Sequence, residues 1–149
     1  AGRLDFIGSH DWGQGTDITG TAGADRFYSS TASDSMRGGA GNDIFHLGGG
    51  NDLVYSTMTD NDELYFQSNT NTNTMVYGFN GAGEYGGDRL FFDKSWGTQY
   101  FDYEVWEFDG RTYFHINADT DTDTTYGNTF TQVVVFNTGL VEGVDYFFT

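Results

Sequence analysis

The chain has 149 residues, a formal net charge of −16 at pH 7, 22 glycines, and neither proline nor cysteine. With 6 Lys and Arg against 22 Asp and Glu it has no cationic patch for phosphate or anionic lipid, which argues against nucleic acid and membrane partners and makes multivalent cations the natural counter-ions. The absence of cysteine excludes a disulfide scaffold and Cys-ligated zinc; the length suits one domain, no run reaches membrane-spanning length, and no basic-apolar signal peptide opens the sequence.

From Gly20 to Tyr55 the sequence repeats every nine residues. Gly38-Gly39-Ala40-Gly41-Asn42-Asp43-Ile44-Phe45-His46 fits G-G-x-G-x-D-x-U-x at every fixed position, U being a large apolar residue, and that period builds calcium-loaded β-rolls. Gly20 to Tyr28 and Leu47 to Tyr55 keep the frame. Ser29 to Arg37 has lost its glycines but retains Asp34 and Met36, and Thr57 to Tyr65 resumes the pattern with Asp62 and Leu64 after a one-residue insertion. Each hexad turns the chain sharply, and the three residues after it form a short strand whose middle side chain points inward. One nonapeptide is therefore half a coil, and Ile18, Phe27, Met36, Phe45, Val54 and Leu64 are expected to stack as an interior column.

Successive nonapeptides turn on opposite sides, so Asp25, Asp43 and Asp62 line one edge and Asp34 and Asp52 the other. Carboxylates at sheet spacing, roughly 5 Å, repel one another, and a hard dication between loops resolves the conflict. Calcium takes six to eight oxygens, here from aspartates and turn carbonyls, whereas magnesium demands a tighter octahedron. The expected metal-binding residues are Gly20, Ala22, Gly23, Asp25, Asp34, Gly38, Gly39, Ala40, Gly41, Asp43, Gly48, Gly49, Gly50, Asp52, Asp60 and Asp62, holding several Ca2+ ions. The outward ninth positions Tyr28, His46 and Tyr65 form a ladder on one face, a possible glycan surface or simply cross-strand packing, while Arg37 and Tyr55 lie on the other.

Ser68 to Thr74 reads as a polar loop or last coil. Short aromatic strands follow at Met75 to Phe79, Arg89 to Phe92, Tyr100 to Phe108, Thr112 to Asn117, Phe130 to Phe136 and Tyr146 to Phe148, with Asp109-Gly110 as a hairpin turn. The fold expected is all-β: a parallel β-roll (β-helix) over about residues 11–74, followed by a β-rich C-terminal cap over about 75–149, in one domain.

No catalytic motif accompanies this architecture. H-E-x-x-H and G-x-S-x-G are absent, His10, His46 and His115 stand singly, and Ser9-His10-Asp11 is adjacency rather than a triad. Asp102 and Glu104 read as an acidic strand face. Asp119-Thr120-Asp121-Thr122-Asp123 is no EF-hand, because Thr124 stands where Gly is needed and Phe130 where the bidentate Glu belongs; it reads as a solvated acidic loop or an additional calcium site.

The nonapeptides resemble those of RTX proteins. Together with Val76-Tyr77-Gly78-Phe79 and Gly87-Asp88-Arg89-Leu90-Phe91, they are similar to the C-terminal domain of serralysin-type metalloproteases and the R-modules of secreted alginate epimerases. The resemblance implies a non-catalytic, calcium-binding extracellular module, linked to an upstream domain and assisting type I secretion. Val144-Asp145-Tyr146-Phe147-Phe148-Thr149 resembles the family's secretion terminus, although a last strand of the cap reads alike. The R-module likeness implies polysaccharide binding as an alternative. Adhesin or surface-layer self-assembly is a third reading, resting on the outward apolar residues Ile44 and Leu53.

Overall fold

A computed structural model describes residues 5–7, 15–57, 60–66, 72–81, 87–93, 100–119 and 129–149. Every regular element among them is a strand: β1 (Asp5–Ile7), β2 (Asp17–Thr19), β3 (Arg26–Tyr28), β4 (Ser35–Arg37), β5 (Ile44–Leu47), β6 (Gly50–Tyr55), β7 (Glu63–Phe66), β8 (Thr72–Tyr77), β9 (Arg89–Phe92), β10 (Tyr100–Phe108), β11 (Arg111–Asp119), β12 (Thr129–Val135) and β13 (Tyr146–Phe148). The chain folds as an all-β parallel roll.

The strands alternate between two sheets, as half-coil nonapeptides require. One sheet runs β1-β3-β5-β7-β9-β13 and the other β2-β4-β6-β8-β12-β11-β10. Arg26 pairs with Ile44, two nonapeptides on, and Ile44 with Glu63, one residue later than that period predicts; the turn before Asp62 absorbs the insertion and leaves the register intact. A one-residue slip within the strands would have turned every inner side chain outward.

Phe27, Met36, Phe45, Val54 and Leu64 are fully buried, and Ile18 packs against them at the open end. Phe27 and Phe45 stack with ring centroids 4.8 Å apart. The longer strands add a second inner row, Leu47, Phe66 and Phe92. Because this column is nearly all the apolar surface a thin roll encloses, Phe45→Ala is expected to cost about 3–5 kcal/mol, measured by denaturant unfolding in saturating calcium. A loss below about 1 kcal/mol would show that the column is not what holds the sheets together.

Parallel pairing continues past residue 74: β8 joins β6, β9 joins β7 and β13 joins β9. The strand expected over Met75 to Phe79 lies earlier, at Thr72–Tyr77, because pairing with β6 begins inside the preceding turn, where Gly50 faces Thr72. The distinct cap is the antiparallel trio β10-β11-β12, docked on β8 through a parallel β12 contact. Asp109 and Gly110 make the expected hairpin turn with φ of 53° and 74°. Phe114, Ile116, Val133 and Val135 close the core from this side.

Candidate metal centre

Each turn ends on an aspartate that enters the roll immediately before its strand or, for Asp52, within the opening residues of β6, and parallel stacking places these aspartates in columns. On one edge the Asp25 N–H donates to Asp43 Oδ1 (2.8 Å), the Asp43 N–H to Asp62 Oδ1 (2.8 Å) and the Asp62 N–H to Asp88 Oδ1 (2.7 Å). On the other edge the Thr16 N–H donates to Asp34 Oδ1 (2.8 Å) and the Asp34 N–H to Asp52 Oδ1 (2.9 Å). Thr74 takes the next place beside Asp52. Asp25, Asp34, Asp43, Asp52, Asp62 and Asp88 are all at most 2% exposed. The amide bonds use one oxygen of Asp34, Asp43, Asp52, Asp62 and Asp88 and leave the other to the turn.

Those second oxygens are not all satisfied. Oδ2 of Asp43 and of Asp52 is buried and receives no hydrogen bond of normal geometry, and Asp60 Oδ1 is in the same state. Burial, followed by repulsion from Asp62, Asp25 and Asp60 against one relieving backbone bond, pushes the Asp43 carboxyl up to about 7. Burial likewise raises Asp52 to about 7, with the Ser29 hydroxyl offsetting only part of it, and Asp88 to about 7. Asp62 is raised to about 6, again chiefly by burial. Buried carboxylates short of partners favour either a proton or a cation.

The turns are shaped to bring oxygens together. A Cβ on Gly39 would lie 2.4 Å from the Thr21 carbonyl oxygen, and one on Gly41 would lie 2.6 Å from that of Gly23, so carbonyls of one turn press directly against the next. Both glycines also adopt positive φ, 88° and 101°, which a side chain would strain. Gly20 and Gly38 are similarly closed to a Cβ by Asp25 and Asp43 of their own turns. Gly48, Gly49 and Gly50 occupy the corresponding turn before Asp52, while Ala22 and Ala40 sit exposed on the bends.

At the far end of the first edge, ligand oxygens of Asp60, Asp62 and Asp88 lie within 4.8 Å of one another. Ser56 Oγ contacts Oδ2 of both Asp62 and Asp88, and Asp88 Oδ2 also accepts the Asn80 N–H at 2.7 Å. A hydroxyl has one proton, so the second carboxylate at Ser56 needs a proton of its own or a cation between them. Asp88 was absent from the expected ligands. Its signal was present, an Asp two residues before the inward Leu90, but it comes after a long insertion that hides the nonapeptide spacing.

Tyr28, His46 and Tyr65 form the expected ladder, with centroids 4.4 and 5.1 Å apart, and Phe91 and Phe147 extend it. His46 is held below its ordinary pKa by burial and then by Arg26, so a neutral imidazole stacks between the two phenols. The rings lie face to face, interplanar angles 4° and 16°, and each inner ring has both faces covered. On the opposite sheet Arg37 lies 4.6 Å over Tyr55, which stacks on Tyr77 and then Phe136, with Arg111 4.7 Å over that last ring. Outward Ile44 and Leu53 are half-buried among their neighbours. Ser9-His10-Asp11 and residues 120–124 lie outside the described residues.

Stacked aspartate-bearing turns along the edges of a parallel two-sheet coil make this a calcium-binding β-roll module. Residues 19–54 match the RTX calcium-binding nonapeptide repeat, in four copies. Among solved structures the chain is similar to the R3 subunit of the mannuronan C5-epimerase from Azotobacter vinelandii, with 18% identity and a TM-score of 0.49 over 81% of this chain and 70% of that one. No curated protein matches it.

Proposed function

We propose that this is a non-catalytic RTX module of a secreted bacterial protein, one that stays unfolded where calcium is scarce and closes its roll on meeting calcium outside the cell. The observation that carries this reading is the Asp43 carboxylate, fully buried with an oxygen no protein group satisfies, inside a sequence match to calcium-binding repeats. Asp43, Asp62, Asp60 and Asp88 would hold ions along one edge and Asp52 along the other, completed by turn carbonyls such as those of Thr21 and Gly23. Calcium supplies there the positive charge that lets buried carboxylates stay ionised, and its binding becomes folding free energy.

The affinity should be distributed unevenly. Asp43 bonds the rungs on both sides and sits in a glycine turn, whereas the Oδ2 of Asp34 is already held by Ser30. Asp43→Ala is therefore expected to lose more calcium affinity than Asp34→Ala in calorimetric titrations, and equal losses would contradict the assignment.

In this reading the module follows an upstream domain and assists its type I export. A reporter fused ahead of the chain and co-expressed with a type I transporter should appear in the medium; retention in the cytoplasm with an active transporter would remove the export role. The polysaccharide alternative depends on Tyr28, His46 and Tyr65. The inner rings, His46 and Tyr65, present edges rather than open faces to a sugar, so calcium-dependent folding is the better supported function.

A further inference from the structure

Four rungs of the ladder, those of Asp25, Asp34, Asp43 and Asp52, fall into two chemical kinds, and the second residue of the nonapeptide, four places before the aspartate, separates them. In the Gly20 turn that residue is Thr21. Its N–H donates to Asp25 Oδ2 at 2.6 Å, its hydroxyl reaches Asp25 Oδ1 at 2.9 Å, and the same hydroxyl accepts the Gly23 N–H at 3.0 Å. In the Ser29 turn it is Ser30, with the same arrangement: N–H to Asp34 Oδ2 at 2.7 Å, hydroxyl to Asp34 Oδ2 at 2.9 Å, and the Ala32 N–H to the hydroxyl at 3.0 Å. In the next two turns the residue is Gly39 or Gly48, with no hydroxyl to offer. Those are the turns whose Asp43 and Asp52 keep a buried oxygen without a hydrogen bond of normal geometry, the Ser29 hydroxyl of the adjacent coil easing Asp52 only in part. The Gly48 N–H is itself directed elsewhere, to Ser29 Oγ at 2.7 Å.

We propose that this position selects how each turn closes: a Thr or Ser clamps its aspartate with the protein's own hydroxyl, and a Gly leaves the carboxylate to a divalent cation. The proposal rests on the calcium reading above and deepens it. It assigns Thr21 and Ser30 as specificity-determining residues that replace an ion, and it places the strict ion requirement on the Asp43 and Asp52 turns. The first two nonapeptides then form a part of the roll that closes with little help from calcium, on which the glycine turns assemble when the ion arrives. A hydroxyl clamp suits this task because it both donates to the carboxylate and accepts the amide two residues on, closing the loop that a cation would otherwise organise.

The test uses the full chain, with calcium stoichiometry from equilibrium dialysis and melting temperature measured with and without calcium. Gly48→Ser introduces the hydroxyl at a position whose new Cβ meets the Ser30 carbonyl oxygen at 3.0 Å, a contact that a small backbone adjustment relieves. It is expected to bind one ion fewer than the parent and to melt higher without calcium. Thr21→Val removes the hydroxyl while keeping shape and backbone amide. It is expected to melt lower without calcium and to recover most of that loss when calcium is added. Ser30→Gly should do the same and take up one further ion. Should Gly48→Ser fail to fold, Thr21→Val and Ser30→Gly still decide the matter. Unchanged stoichiometry, with melting shifts equal in the presence and absence of calcium, would overturn the proposal while leaving the calcium reading intact. A parent chain that binds no calcium would overturn that reading itself.

Discussion

In EDTA the far-UV circular dichroism of this chain is expected to lose most of its β-signal, and calcium should restore it. The roll encloses a narrow column of side chains, while −16 charges and at least six buried carboxylates oppose its closure. An ion that binds only the folded state stabilises it by RT ln(1 + [L]/Kd), about 2.7 kcal/mol for a site held at 100 times its Kd. A few such sites match the entire stability of an ordinary small domain, roughly 5–15 kcal/mol. Removing them should unfold the coils that carry Asp43 and Asp52, β5 to β7, with the Thr21 and Ser30 turns and the antiparallel trio β10-β11-β12 as the parts best able to persist. An unchanged spectrum and melting temperature after exhaustive chelation would mean that the fold is self-sufficient and that folding on export has no physical basis.

Acid should substitute for calcium. Asp43, Asp52 and Asp88 titrate at about 7 in the calcium-free fold and Asp62 at about 6, against 3.8 for a free side chain. A folded-state pKa above the unfolded value means that the native state holds protons the unfolded chain has released. The contribution is fully present below about pH 4 and is lost as pH rises through 6 to 7, at a slope of about 1.4 kcal/mol per pH unit for each group fully protonated in the fold. The calcium-free far-UV β-signal is therefore expected to return as pH falls from 8 to 5, and Asp43→Asn should flatten the rise. Saturating calcium should abolish or reverse it, since the ligands must be ionised to bind. A calcium-free β-signal that is constant, or that rises with pH, would contradict the buried-carboxylate account.

Much of this was legible in the residues. The nonapeptide frame fixed Phe27, Met36, Phe45, Val54 and Leu64 as the column and divided Asp25, Asp43 and Asp62 from Asp34 and Asp52, because a period of nine with one inward residue per repeat permits one geometry. The hairpin at Asp109-Gly110 was equally plain, since turn chemistry is local. The continuation of the roll through β8, β9 and β13 was not, because these strands lack the glycines that advertise a coil, and Phe91 and Phe92 read as cap strands rather than as further rungs. Asp88 was missed because the long insertion before it hides the nonapeptide spacing. The contrast between Thr21 and Gly39 was visible as letters but had no meaning until the carboxylate oxygens could be counted. Which oxygen is satisfied depends on how turns from different coils stack, and spacing along one chain does not show it.

The most direct test of the central claim is a crystal structure of the chain grown in millimolar calcium, with anomalous scattering to locate the ions. The account predicts density beside Asp43 Oδ2 and beside Asp52 Oδ2, each peak with oxygen ligands at about 2.3–2.6 Å drawn from aspartates and turn carbonyls. Well-ordered turns with no ion at either aspartate would contradict it.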